Sequence, residues 1–232
     1  MKYYPINLDL KDRAVLVVGG GSIAESKTEQ LIEAGAQVRV VSPELTGRLR
    51  EWVQGGVIAH RVGVFDESDL GGVVLVISAT DSQTVNQKVA NAAAKRGLLC
   101  NVVDQPALCS FITPALITRG DLQISVSSGG GSPSVVQRVK REIADLIGEE
   151  YGVLLELAAE MRSEAKRRVS DFEQRRRVLH AFVESEALTL LRAGQIDQAR
   201  RIAQELLDAA AKVRQEEKIE EENQAGQAAT VD

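Results

Sequence analysis

The segment CNVVDQPALCSF, residues 100–111, contains both cysteines of the chain and an aspartate between them, so it is the first candidate for chemistry. Cys100 and Cys109 are nine residues apart, unlike the CxxC spacing of redox and zinc pairs. Since buried cysteine behaves as a small hydrophobic residue, we expect Cys100 to pack within a strand and Cys109 to lie in the loop beyond it. The two histidines, His60 and His180, are far apart in the sequence, and we predict no metal site.

Asp104 follows directly on the apolar pattern LLCNVV of a predicted strand. Ligands of parallel α/β sheets bind at the carboxyl ends of the strands, and a partly desolvated carboxylate there can accept a proton from a substrate. A turn aspartate before Gln105 and Pro106 explains the same residue equally well, because aspartate is common in turns. The residues alone leave catalysis and turn formation open.

A second candidate site is the glycine loop of VLVVGGGSIA, which gives G-x-G-x-x-A with Gly19, Gly21 and Ala24. It ends a strand pattern and opens a helical one, which is the context that the dinucleotide-binding fingerprint requires. Gly19 permits the tight turn, Gly21 lets the backbone approach a pyrophosphate, and Ala24 permits close packing of helix and strand. The backbone amides of Ser22 and Ile23 would donate to the phosphates. A strand–helix turn without a ligand is the alternative.

The ribose-binding acid of such sites lies about 20 residues beyond the glycines, at the end of the second strand. There the sequence is VVSPE, which makes Ser42, Pro43 and Glu44 the candidates. An acid favours NAD, whereas Arg39 keeps NADP open.

Thr80 and Asp81 close the apolar run VVLVISATD and would lie at the same edge of the sheet. They are candidates for cofactor binding, and they could equally cap the helix that follows.

The candidate residues lie in a part of the chain where strand patterns alternate with helical patterns. Strand patterns are RAVLVVGGG, QVRVVSP, VIAHRV, VVLVISATD and LLCNVVD, with helical patterns at 22–36 and 84–97. This alternation implies parallel strands joined by right-handed crossovers. The predicted fold class is α/β, a Rossmann-type doubly wound parallel sheet, followed by a further segment and a small C-terminal helical domain.

The second half changes character. DLQISVSS predicts a strand, and a glycine-rich turn leads into a helix with Ser132 and Pro133 at its start. From about Glu149 the pattern is helical: one helix with Leu154, Leu157, Ala158, Met161 and Ala165 on one face, a second through RRRVLHAFVESEALTLLRAG (175–194), and a third at 196–213.

Composition narrows the class of protein. A formal charge of −5 argues against a general nucleic-acid binder, and 3% aromatic residues argue against a stacking platform for single strands. The start MKYYPINLDLKDR lacks the apolar run of a signal peptide, and no stretch approaches the roughly 18 apolar residues of a membrane span. We expect a cytoplasmic protein without membrane or nucleic-acid partners.

Five motifs occur in a fixed order: VVGGGSIAESK, EAGAQVRVVSP, ATDSQTVNQKVANAA, CNVVDQP and SFITPALITRGDLQISVSSGGGSP. In that order they resemble the precorrin-2 dehydrogenase / sirohydrochlorin ferrochelatase family, the N-terminal module of siroheme synthases. With the looser match of RRRVLHAF, the resemblance extends to about residue 207. Ser26 departs from it, since the family commonly has arginine before the lysine.

The resemblance implies a reaction: oxidation of precorrin-2 to sirohydrochlorin with NAD as hydride acceptor. In many members ferrous iron then enters as a substrate and gives siroheme. The resemblance also implies a homodimer and makes Asp104 the catalytic carboxylate, which could serve both steps because two pyrrole N–H protons must leave as iron enters.

The second glycine loop, SVSSGGGSPS, has no G-K-[ST] and is therefore no P-loop. Bare helix amides after it could hold an anion, and the acidic tetrapyrroles precorrin-2 and sirohydrochlorin would suit it. The candidate substrate ligands are Ser127, Ser128, Gly129, Arg119 and Arg138, with Arg141 as a further cation. A capped helix after a turn is the alternative.

These features predict four parts: an NAD-binding domain (1–112), a dimerisation segment with the substrate-binding loop (113–148), a helical domain (149–212) and a disordered tail (213–232). Two other functions stay open, another small NAD-linked oxidoreductase and a non-catalytic nucleotide-sensing module. The second loop and Asp104 disfavour the sensor, which needs only the first loop.

Overall fold

The computed structural model describes the backbone of residues 3–228 and the side chains as far as residue 212. The chain divides into two compact units. The first unit comprises Met1–Thr113 with Gly129–Gly131, and the second unit comprises Pro114–Ser128 with Ser132–Asp232. The boundaries of the four parts expected from the sequence stay predictions.

The first unit is a sheet of five parallel strands in the order β3-β2-β1-β4-β5. The strands are β1 Ala14–Val18, β2 Gln37–Ser42, β3 Ala59–Val62, β4 Leu75–Ser78 and β5 Leu99–Val102. The helices are α1 Ser22–Glu33, α2 Gly47–Gln54 and α3 Gln83–Lys95, with short 3-10 helices at Glu67–Leu70 and Pro106–Leu108. The predicted Rossmann-type parallel sheet is confirmed, while α2 was not predicted.

Two hydrophobic cores cover the two faces of this sheet. Val15 and Val17 pack with α1 and α2 on one face, whereas Leu16 and Val18 pack with α3 on the other. A strand buried on both faces is apolar at every position, which explains the continuous runs in the sequence. The strand order reverses between β1 and β4, and such a switch point opens a crevice at the carboxyl ends of the strands.

An ion pair between the half-exposed Arg61 of β3 and the buried Asp69 links β3 to the 3-10 helix at Glu67–Leu70. The Asp69 carboxylate accepts from Arg61 Nε at 2.5 Å and from the Asp66 amide at 2.8 Å, and Arg61 Nη2 donates to its other oxygen. Burial alone would raise the pKa of Asp69, but the hydrogen bonds from Arg61 and Asp66 outweigh it and lower that pKa. The lowered pKa of Asp69 stabilises the folded protein fully at neutral pH. This stabilisation is lost as the pH falls below the ordinary aspartate pKa and through the lower pKa that Asp69 has in the folded protein.

We expect Asp69→Asn to lower the free energy of unfolding by about 2–3 kcal/mol, because a buried carboxylate loses charged hydrogen bonds. Urea unfolding at neutral pH measures the loss. The control is Asp208→Asn, since Asp208 pairs with Arg168 near the surface and such pairs contribute less than about 1 kcal/mol. Equal losses in the two variants would contradict the assignment.

The second unit contains an antiparallel hairpin and five helices. The hairpin is β6 Ala115–Arg119 and β7 Leu122–Val126. The helices are α4 Pro133–Leu146, α5 Glu150–Arg168, α6 Phe172–Val183, α7 Ala187–Arg192 and α8 Ile196–Ala228. A third hydrophobic core joins α5 to α8, and it buries the predicted face of α5 at Leu154, Leu157, Met161 and Ala165, with Ala158 partly buried against it.

The prediction of one helix through 175–194 is wrong, because α6 and α7 are separate helices. Ser185 Oγ donates to the Phe182 carbonyl at 2.7 Å and accepts from the Ala187 amide at 3.2 Å. Such local side-chain bonds compete with the helical ladder.

The backbone of α8 continues through most of 213–232, where disorder was expected, and residues 229–232 lie outside the described residues. The disorder of this range stays a prediction. Within the described part of the chain, no helix combines the length and the apolar character that crossing a membrane requires.

Candidate active site

The glycine loop fills the exit from β1 so tightly that side chains are excluded. Gly19 has φ +121°, and a Cβ there would lie 2.2 Å from the Ala79 carbonyl oxygen. A Cβ at Gly20 would lie 1.8 Å from the Glu44 carbonyl oxygen. The middle glycine is therefore as necessary as the first. The G-x-G-x-x-A fingerprint allows any residue at position 20. In the sequence, only the fact that Gly20 belongs to a run of three glycines indicated its role.

Gly21 has the opposite surroundings. A Cβ on Gly21 would meet no atom of the described residues within 4 Å, and this glycine is the N-cap of α1. With no capping side chain, the first-turn amides of Ser22 and Ile23 face outward, while Ala24 is buried against the sheet. Open space before a bare helix N-terminus fits a pyrophosphate, and the loop suits a dinucleotide cofactor.

At the end of β2, Ser42 and Glu44 have different roles. Ser42 is buried, and its hydroxyl donates to the Glu44 carbonyl at 2.6 Å, so it shapes the turn around Gly20. Glu44 and Pro43 are exposed and line a cavity of about 370 Å³ together with His60. Of the predicted residues here, Glu44 alone presents a free polar side chain to a ligand.

At the end of β4, a buried asparagine organises the backbone. Asn86 accepts from Ser78 Oγ at 2.7 Å and from Thr80 Oγ1 at 2.9 Å, and donates to the Thr80 carbonyl at 3.0 Å. Ser82 is the N-cap of α3, so the alternative of Thr80 or Asp81 as the cap is wrong. Asp81 is exposed. Asn86 was not predicted, since an asparagine within a helical pattern carries no signal for this contact.

Asp104 follows β5 in a left-handed conformation with φ +59°. Such a conformation is uncommon for residues other than glycine, although aspartate and asparagine tolerate it better than most. The side chain is exposed, and among the described residues its carboxylate has no hydrogen bond or ion pair. Asp104 does lie in a turn, from Val102 to Gln105, but its carboxylate contributes no bond to that turn. The turn therefore explains the backbone conformation of Asp104, but it does not explain why the side chain is an aspartate, since the carboxylate makes no bond to the described residues.

The two cysteines differ as expected in position. Cys100 is buried in β5, and burial together with the nearby Cys109 raises its pKa to about 11. Cys109 lies in the loop beyond, half-buried, with its sulfur against the backbone of Val102 and Gln105. The described residues contain no group of three or more metal-binding side chains.

The predicted substrate residues are divided between the units. Gly129 belongs to the first unit, and Ser127, Ser128, Arg119 and Arg138 belong to the second. Ser128 Oγ accepts from the Ser132 amide at 3.0 Å, within the turn before α4.

Two of the predicted cations have partners. Arg119 donates to the Ile147 carbonyl at 2.9 Å and to the Ala144 carbonyl at 3.2 Å, so it caps the C-terminus of α4. Arg138 pairs with Glu142 on the surface of α4. Arg119 thus has a structural role that charge alone did not indicate.

The first unit brings most of the candidates together. The glycine loop follows β1, Thr80 and Asp81 follow β4, and Asp104 follows β5, and these are consecutive strands of the sheet. Because they are parallel, all three groups lie at the same carboxyl edge.

Comparison with known proteins decides the family. Residues 6–115 match a model described as putative NAD(P)-binding, residues 119–146 match the sirohaem biosynthesis protein central model, and residues 150–207 match the sirohaem synthase dimerisation region. The siroheme synthase of Methylobacillus flagellatus is 42% identical over 207 residues, which cover 89% of this chain and 44% of the relative. The chain belongs to the siroheme synthase family.

Another member of the siroheme synthase family, from Thioalkalivibrio sulfidiphilus, is 39% identical over 208 residues, 90% of this chain and 42% of the relative. The chain thus spans less than half the length of these two relatives. The solved structure of SirC, precorrin-2 dehydrogenase, has a TM-score of 0.76 and 26% identity, and the match covers 88% of this chain and 100% of that one. In this family the region named for dimerisation matches the helices at 150–207, whereas the sequence pattern predicts a dimerisation segment at 113–148.

We expect Gly21→Asp to weaken NAD binding by at least about a hundredfold, because like charges brought together cost several kcal/mol. The fold should persist, since the new side chain enters open space. Calorimetric titration with NAD measures the affinity. The control is Gly72→Asp, before β4 at the amino edge of the sheet, where the added side chain also meets open space; its φ of +73° is a left-handed conformation that aspartate tolerates better than most residues. Unaltered affinity in Gly21→Asp would count against the fingerprint.

Proposed function

We propose that the chain oxidises precorrin-2 to sirohydrochlorin with NAD. The observation that carries the proposal is Asp104, a carboxylate without partners among the described residues, at the sheet edge that also carries the glycine loop. The choice of precorrin-2 as the substrate rests on the similarity to siroheme synthases and to a precorrin-2 dehydrogenase. A nucleotide-sensing module would need the glycine loop alone.

The reaction removes two hydrogens from the tetrapyrrole. One C–H electron pair leaves as hydride, one proton leaves to a base, and a new double bond remains in the macrocycle. The amides of Ser22 and Ile23 would hold NAD⁺, which would supply the hydride acceptor. Asp104 is the base in our proposal, because its side chain is exposed at this edge and accepts no hydrogen bond from the described residues that would occupy its oxygens.

Two side chains, one within β2 and one just after it, support NAD rather than NADP. The exposed Glu44 carboxylate beside the cavity at β2 can accept from ribose hydroxyls and would repel a 2′-phosphate. Arg39, the residue that kept NADP open, donates Nη1 to the Asp69 carbonyl at 3.3 Å.

For the acidic substrate we propose the second glycine loop. Ser127 and Ser128 are exposed, and Gly129 and Gly130 have φ of +63° and +88°. Arg141 and Arg138 on α4 are exposed cations that carboxylates of the tetrapyrrole could approach. We leave Arg119 out of this set, since its donors cap α4.

Asp104→Asn should lower kcat for precorrin-2 oxidation by at least about a hundredfold, the usual contribution of a general base. Asparagine also tolerates the left-handed conformation, so NAD affinity should not change. Formation of NADH, followed by absorbance, measures kcat.

The matched control for Asp104→Asn is Asp12→Asn. Asp12 also has φ +59°, but it precedes β1 and thus lies at the amino edge. Its replacement should leave turnover intact. Wild-type turnover in Asp104→Asn would refute Asp104 as the base.

We further propose a homodimer in which α4 and the hairpin are covered by a second copy. None of the described residues of α4 is buried, although Val135, Val136, Val139, Ile143 and Leu146 are apolar. Val135 and Leu146 are 57% and 69% exposed, and Leu116 of β6 is 42% exposed. Apolar side chains gathered on one hairpin and helix are typical of a subunit interface. The match of residues 150–207 to a region named for dimerisation supports a dimer but not this particular surface, which lies before residue 150.

We expect the double variant Val135→Asp, Leu146→Asp to be monomeric at micromolar concentration, because uncompensated charges are excluded from interface cores. Light scattering coupled to gel filtration measures the mass. The control Val62→Asp changes an apolar residue of the first unit that is 71% exposed, and it should stay dimeric. A double variant that remains dimeric would contradict this interface.

Insertion of ferrous iron stays a prediction of the resemblance. Asp104 could also accept the pyrrole protons of that step, and iron would enter as a substrate.

A further inference from the structure

The segment after Asp104 turns back along β5 and is bonded to it at several points. The Ser110 amide donates to the Cys100 carbonyl at 2.8 Å, and Ser110 Oγ accepts from the Cys100 amide at 2.8 Å. On the other side, Asn101 Nδ2 donates to the Phe111 carbonyl at 3.0 Å. These bonds fix the position of the returning segment, and they place Cys109 against the turn that contains Asp104.

The thiol of Cys109 contacts both ends of that turn. Its sulfur accepts from the Val102 amide at 3.1 Å, and it lies 3.2 Å from the Val102 carbonyl oxygen and 3.3 Å from the Gln105 carbonyl oxygen. The single S–H proton can donate to either carbonyl. Val102 and Gln105 are the first and last residues of the turn, which is closed by the Gln105 amide donating to the Val102 carbonyl at 3.2 Å.

Asp104 lies inside this turn, in the left-handed conformation that most side chains avoid. Its own carboxylate contributes nothing to holding that conformation, since it has no partner among the described residues. We propose that Cys109 is a positioning residue: its thiol holds the turn and thereby keeps the Asp104 carboxylate at the edge of the sheet. The inference rests on the proposed role of Asp104 as the base.

Sulfur suits this position for a geometric reason. The thiol is larger than a hydroxyl, so one atom reaches the Val102 amide and the two carbonyls together. Cys109 also packs against the core formed with α3, next to Leu108, and partial burial limits competition from water for these weak bonds. A hydroxyl would keep some of the contacts, and a methyl group would keep none.

The test compares Cys109→Ala, Cys109→Ser and the control Cys100→Ala. Cys100 is the more buried thiol and lies in β5, the strand that leads into the turn, and no hydrogen bond of its sulfur is found among the described residues. We expect Cys109→Ala to lower kcat for precorrin-2 oxidation about tenfold, the effect of one lost hydrogen bond, with KM for NAD unchanged. Cys109→Ser should recover part of the loss, and Cys100→Ala should lower the melting temperature while retaining kcat.

Amide hydrogen exchange supplies a readout that is independent of the reaction. The Gln105 amide, which closes the turn, should exchange about tenfold faster in Cys109→Ala than in the wild type, and Cys100→Ala should leave it unchanged. Unchanged exchange at Gln105 would overturn the positioning role, whatever the activity. So would equal losses of kcat in Cys109→Ala and Cys100→Ala. A wild-type chain that does not oxidise precorrin-2 would refute the proposed function, while the exchange measurement would still decide whether the thiol holds the turn.

Discussion

The carboxyl end of β1 leaves no room for a side chain, and the candidate site depends on this constraint. The sheet order reverses at β1, so the chain leaves the strand between the carbonyl oxygens of Ala79 and Glu44. Only glycine fits at positions 19 and 20. The tight exit starts α1 at Gly21, where the absence of a capping side chain leaves the first-turn amides open to an anion.

The carboxyl ends of β2, β4 and β5 share one arrangement. At each of them an inward polar atom holds the backbone, and an acidic side chain nearby stays exposed. The inward groups are the Ser42 hydroxyl, the Asn86 amide and the Cys109 thiol, and the exposed acids are Glu44, Asp81 and Asp104. At each strand end, one side chain holds the backbone and a different side chain carries the exposed carboxylate. The backbone can therefore be rigid, and the carboxylate is kept in a fixed place.

The sequence predicts the features that depend on local pattern. Strands buried on both faces are continuously apolar, so all five parallel strands were recognised, and the strand–glycine–helix context identified the loop at 19–24. Asp104 was located at a strand end, but only the structure reveals its left-handed backbone and its free carboxylate.

Features that depend on contacts remote in the chain could not be predicted. The thiol of Cys109 reaches Val102 only because the chain reverses after Pro106. Arg119 looked like an anion ligand by charge, whereas its donors meet carbonyls 25 and 28 residues away. The break between α6 and α7 depends on two bonds of Ser185, which the apolar periodicity does not register.

We propose that this chain transfers a hydride from precorrin-2 to NAD. The most direct measurement is a single turnover without oxygen, with the protein in excess over precorrin-2 and NAD as the only oxidant. NADH absorbance and the spectrum of the tetrapyrrole would be recorded together. We expect one NADH for each precorrin-2 consumed, appearing at the same rate as sirohydrochlorin. Absence of NADH with authentic substrate would contradict it.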